Sequence, residues 1–124
     1  MVVNYDKKYF YYPQTKTFIA PLYFYQNSNT QCLITDETIY FYDHSGNCIS
    51  KYDTSQTVYL LETKDKTVGN FYIVITVENN VKKILDTSLK EVKTLTTKEW
   101  AKLEKTLSNS QRLTNFNYAT IDKI

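Results

Sequence analysis

One histidine, two cysteines and thirteen carboxylates are the side chains of this 124-residue chain that could carry proton transfer, nucleophilic attack or metal binding. His44 stands between Asp43 and Ser45, three residue types that together build a nucleophilic triad. Adjacent residues of one turn cannot aim at a common substrate through a chain of hydrogen bonds, so the expectation is a solvated turn without a catalytic role. Asp43, Cys48 and Asp53 are ligand types near His44, but no three of them have a defined ligand spacing, and no metal is expected. Cys32 and Cys48 are flanked by strand-forming residues rather than by a base or a helix start, which predicts inert thiols. The closest carboxylates, Asp36-Glu37, read as a turn; a small enzyme with carboxylates drawn from separate strands stays open as an alternative. With Gly46 and Gly69 as the only glycines there is no phosphate-cradling loop, and G-x-S-x-G and H-E-x-x-H do not occur. The reading is of a chain without catalytic residues, metal or cofactor, whose work is binding.

The stretch that positions these residues is Thr30 to Asp53. Asp36-Glu37 closes Thr35 against Thr38 in a two-residue loop, pairing Ile34 with Ile39 and Cys32 with Phe41. Asp43 to Asn47 holds the residue types that tolerate turn dihedrals. Closing it at Tyr42 and Cys48 pairs Phe41 with Ile49 and Tyr40 with Ser50. Alternation then sorts the side chains into two faces. Cys32, Ile34, Ile39, Phe41 and Ile49 share an aliphatic one; Leu33, Tyr40, Tyr42, Cys48, Ser50 and Tyr52 share the other. The cysteines fall on opposite faces, which argues against a disulfide between them.

Before this stretch, Lys8 to Tyr12 reads as a short strand stopped by Pro13. Thr17 to Tyr25 reads as an edge strand, a bulged strand, or two short strands bent at Pro21. After it come strands over Thr57 to Thr63 and Phe71 to Glu78, joined by a charged loop over Lys64 to Gly69. Phe71 to Glu78 is expected to be central in its sheet. Asn79-Asn80 has the character of a type I′ turn and folds Val81 to Leu85 back. Lys90 to Leu95 is read as strand or helix. Thr96-x-x-Glu99 is a capping box, and Trp100, Leu103 and Leu107 make one apolar stripe on the helix it starts, with Trp100 as anchor. Residues from 111 onward show no period and are left as coil, helix or edge strand.

The expected fold is α+β, mostly β: an antiparallel meander sheet or partly closed barrel of about seven or eight strands with one C-terminal helix packed on it. Residues 1–124 form a single domain, with 1–7 and 111–124 loosely ordered. This element order resembles the layout of pleckstrin-homology-type domains, although the first hairpin lacks the arginine-containing basic cluster of that family's lipid-binding members.

The formal charge of +2 is small, and Arg112 is the only arginine. Arginine supplies the bidentate fork of base readout, so sequence-specific nucleic-acid recognition is not expected. No apolar run approaches the length of a membrane span, and no cleavable leader is visible at Met1, which points to the cytoplasm. The function expected is a small protein-binding adaptor or inhibitor, of the kind a phage or mobile element encodes. It would bind a protein partner through a tyrosine-bearing sheet face (Leu33, Tyr40, Tyr42, Tyr52) or an exposed edge strand, which also offers a route to a homodimer. The alternative is single-stranded nucleic-acid binding by base stacking on the tyrosines beside Lys82, Lys83, Lys90 and Lys93.

Overall fold

The computed structural model describes residues 2–4, 9–12, 17–64, 70–122 and 124. Three antiparallel strands open the chain, β1 (Val2–Asn4), β2 (Tyr9–Tyr12) and β3 (Thr17–Ile19). A four-stranded meander follows, made of β4 (Tyr23–Gln26), β5 (Thr30–Ile34), β6 (Thr38–Asp43) and β7 (Cys48–Asp53). The remainder supplies β8 (Val58–Thr63), β9 (Phe71–Val77), β10 (Val81–Leu85), β11 (Glu91–Leu95), helix α1 (Thr97–Leu107), β12 (Gln111–Arg112) and β13 (Phe116–Ile121). These strands form a six-stranded sheet in the order β11-β10-β9-β8-β13-β12. The fold is α+β and mostly β, and among the described residues no sheet closes into a barrel.

Local chemistry explains most of the boundaries. The bend at Pro21 divides the predicted Thr17 to Tyr25 segment into β3 and β4, which belong to different sheets. Asn79 and Asn80 both hold positive φ, at 61° and 60°, and reverse the chain so that Val77 pairs with Val81. β9 is an inner strand of its sheet, as its two apolar faces require. Thr96 accepts from the Glu99 N–H while the Glu99 carboxylate accepts from the Thr96 N–H, each at 3.1 Å, so the capping box forms. Of the predicted charged loop over 64–69, only Lys64 lies within the described residues, as do only 2–4 of the first seven; those three residues form β1.

The central hairpin keeps its first register. Cys32 pairs with Phe41 and Ile34 with Ile39, and the Thr35 N–H donates to the Thr38 carbonyl at 2.9 Å. The second register departs from expectation. Tyr42 does pair with Cys48, but Phe41 pairs with Ser50 and Tyr40 with Lys51, leaving Ile49 as the extra residue of a bulge. A bulge lets both Ile49 and Tyr52 turn toward the apolar side, which one unbroken alternation could not do. Tyr52 thereby leaves the face it was expected to share with Tyr40 and Tyr42.

The tail is the other correction. Phe116 to Ile121 is neither coil nor an outer strand; it lies parallel to β8 and fills the interior of the six-stranded sheet. Phe116 and Tyr118 face one core while Ala119 and Ile121 face the other, so both faces are apolar and no period-2 signal survives.

The layers follow from these registers. The aliphatic face of β5 and β6 packs on Val58, Leu60, Phe71, Ile73 and Phe116 of the six-stranded sheet. The helix covers that sheet's opposite face through Trp100, Leu103 and Leu107, over Leu61, Val74, Ile84, Ala119 and Ile121. Ile19 of β3 covers Leu33 and Tyr42. The helix therefore docks on neither face of the central hairpin. Each fully buried ring such as Phe41, Phe71 or Phe116 contributes about 2–3 kcal/mol by leaving water. Among the described residues no helix is long and apolar enough to cross a membrane.

Candidate functional site

A helix of eleven residues laid on a six-stranded sheet leaves part of that sheet uncovered. Along one flank of α1, Ile84, Leu95, Leu103 and Ile121 floor a groove of about 440 Å³ whose rim carries Lys93, Glu99, Lys102 and Asp122. Its volume falls in the roughly 300–1,000 Å³ range of ligand-binding pockets. The sequence builds it from three pieces. β10 and β11 supply Ile84, Lys93 and Leu95, α1 supplies one side, and the end of β13 closes it with Ile121 and Asp122.

Glu99 holds these pieces in place. Its carboxylate caps the helix and also pairs with Lys93 Nζ at 2.5 Å, joining α1 to β11. The hydrogen bond from Lys93, followed by that from the Thr96 N–H, pulls the Glu99 carboxyl down to about 2. β11 is the outer strand beside the groove. Its pairing skips Val92, since Ile84 meets Lys93 and Leu85 meets Glu91, and Val92 is left 47% exposed.

The other flank of the helix is polar. Trp100 lies 5.8 Å from Tyr59, and Lys82 Nζ stands 5.3 Å from the Trp100 ring centre while donating to Thr76 Oγ1 (2.7 Å) and Asn80 Oδ1 (3.2 Å). A cleft of about 330 Å³ opens there, with Thr57 and Glu104 also on its wall. No protein-family model matches this chain, and no curated protein does.

The four residues expected to form a tyrosine surface do not come together on one. Leu33 and Tyr42 are buried beneath Ile19, and Tyr40 is half-buried with Lys51 Nζ 5.7 Å from its ring centre. Tyr52 packs on the opposite face, against the sandwich core. Burial, then the neighbouring Cys48, pushes the Tyr42 phenol up to about 12. The basic patch is likewise divided. Lys82 and Lys93 face the helix, Lys83 pairs with Glu91 at 2.6 Å, and Lys90 lies exposed in the turn before β11.

Side chains with chemical potential are held in structural roles. Asp43 Oδ1 accepts from the N–H groups of Ser45 and Asn47, and the bond from Asn47 leads in lowering its pKa. His44 Nε2 donates to the Asn27 carbonyl at 2.7 Å. Cys32 is sealed in the core, where desolvation and then Glu62 hold its thiol well above the usual range. Cys48 is exposed, and both cysteines are free. Glu62, on the core side of β8, accepts from the Tyr118 hydroxyl, and Tyr118 stacks on Tyr25 with ring centres 4.0 Å apart. Desolvation, helped by that bond, raises the Tyr118 pKa. Among the described residues no three His, Cys, Asp or Glu side chains gather as a metal site.

Sequence reasoning missed the groove. The apolar stripe of α1 was legible, but its partner Ile121 sat in a tail without a period, and nothing local told that Leu103 would share its contacts between core and groove.

Proposed function

We propose that this protein is a non-catalytic protein-binding module, an adaptor or inhibitor, that seats a partner's apolar side chains in the groove between α1 and the β10–β11 hairpin. The observation that carries this reading is the groove itself, whose buried aliphatic floor of Ile84, Leu95 and Ile121 meets the partly exposed Leu103 and the exposed Ile124 within a rim of charges of both signs. An apolar centre within a polar rim is the anatomy of a protein contact surface. Two unpaired cysteines, one exposed, suit a reducing compartment such as the cytosol.

The test is selection of displayed random peptides against the full-length chain, followed by affinity measurement with Thr106→Arg. Thr106 is an exposed residue on the groove wall, so arginine fills the groove without disturbing the core. Selected peptides should carry apolar anchors and lose at least about tenfold in affinity for this variant, while His44→Ala leaves binding unchanged. Equal binding to wild type and Thr106→Arg would overturn the assignment.

A further inference from the structure

We infer that the outer edge of β7 is a self-recognition surface through which two copies of this chain pair antiparallel about a two-fold axis at Tyr52. Among the described residues β7 is the last strand of its sheet and pairs only with β6. On that inner side Ile39 faces Tyr52 and Thr38 faces Asp53, and the Thr54 N–H donates to the Glu37 carbonyl at 2.8 Å. Successive residues of a strand send their backbone groups to alternate sides. The bond from Thr54 therefore fixes Tyr52 as a residue bonded to β6, and turns the N–H and C=O groups of Lys51 and Asp53 to the open edge.

Two residues with outward backbone groups, two positions apart, are what an antiparallel partner strand needs. With the axis at Tyr52, Lys51 of each copy lies opposite Asp53 of the other, and each such pair exchanges two backbone hydrogen bonds. The side chains of these pairs also face one another. Both heads are exposed, at 52% for Lys51 and 65% for Asp53, and within one chain they lie 3.8 Å apart. Pairing across the axis sets two lysines against two aspartates. The tyrosines meet at the axis, in the closer spacing of a non-hydrogen-bonded pair.

The charge pattern selects both the partner and the register. Moving the axis to Lys51 sets lysine against lysine, and moving it to Asp53 sets aspartate against aspartate; either costs repulsion. One two-fold register satisfies backbone and side chains together, and it needs a second copy of the same edge.

Sedimentation equilibrium of the full chain over a concentration series, with and without added salt, tests this. Wild type should pass from 14.6 kDa to twice that mass, and salt should weaken the association. Lys51→Glu alone and Asp53→Lys alone should each raise the dissociation constant at least about tenfold, since both charge pairs turn repulsive. The double exchange Lys51→Glu with Asp53→Lys should restore the dimer. Both residues are exposed in the single chain, and circular dichroism of each variant confirms that it is folded. A monomer at every concentration, or a dimer indifferent to the single exchanges, overturns the inference.

Discussion

Replacing Phe116 by alanine tests whether the C-terminal segment is an inner strand of the main sheet. The ring has 0% exposure and lies in the core shared by the two larger sheets, beside residues from both. Truncating a phenylalanine so placed removes its transfer free energy and leaves a cavity that rigid sheets on both sides cannot close. The loss should be about 3–5 kcal/mol. Scaled to 124 residues, the unfolding entropy is roughly 0.26 kcal/mol per degree, so a loss near the middle of that range lowers Tm by about 15 °C. Thermal melts and urea titrations followed by circular dichroism read both quantities. Thr120→Ala is the control, because Thr120 is exposed on the same strand and should cost less than about 0.5 kcal/mol. A Phe116→Ala protein melting within about 3 °C of wild type would refute the placement of this segment.

Four further outcomes are expected. Thr96→Ala removes the side-chain half of the capping box and should cost about 1 kcal/mol, with faster amide exchange confined to the first turn of α1. Glu99 is held near 2, below the roughly 4.3 of an unfolded glutamate, so its contribution is in force above that value and fades as pH falls toward 2; helix-specific carbon shifts of α1 should decline across this window in wild type, and Glu99→Gln should lose that step. Tyr42, raised to about 12 from near 10, favours folding while neutral, so stability is intact below pH 10 and is lost as pH rises toward 12; phenolate absorbance should show late-titrating tyrosines, Tyr118 among them, and Tyr42→Phe should lower their number by one. Tyr118→Phe leaves the Glu62 carboxylate without its hydroxyl donor in the space between the sheets and should cost about 1–3 kcal/mol in urea titrations, whereas a loss below about 0.5 kcal/mol would show that water replaces the donor freely.

Much of the fold was legible because the deciding signals are local. Asp36-Glu37, Asn79-Asn80 and the Thr96/Glu99 box each act within four residues of chain, and the turns and helix start they specify are those observed. What was not legible depends on distant partners. β13 inserts beside β8 after a helical crossover, and a segment buried on both faces carries no alternation that would announce it. The groove could not be read for the same reason, since its floor joins Ile84 and Leu103 to Ile121 from that segment.

The central hairpin shows how small a local error suffices to misplace a surface. Tyr42 and Cys48 close the loop as the turn residues indicate, with Gly46 at a φ of 90°. One extra residue, Ile49, then shifts everything after it by one position, and in a strand one position is the difference between faces. Tyr52 goes inward, and Lys51 comes to stand over Tyr40. The tyrosine face lost Tyr52 through that bulge, and two of its other residues, Leu33 and Tyr42, lie under Ile19, a contact from outside the hairpin altogether. The same shift gives the outer edge its use. It brings Lys51 and Asp53 into the exposed positions whose backbone groups point away from β6, so the residue that dissolved one predicted binding surface also set the charge order of another.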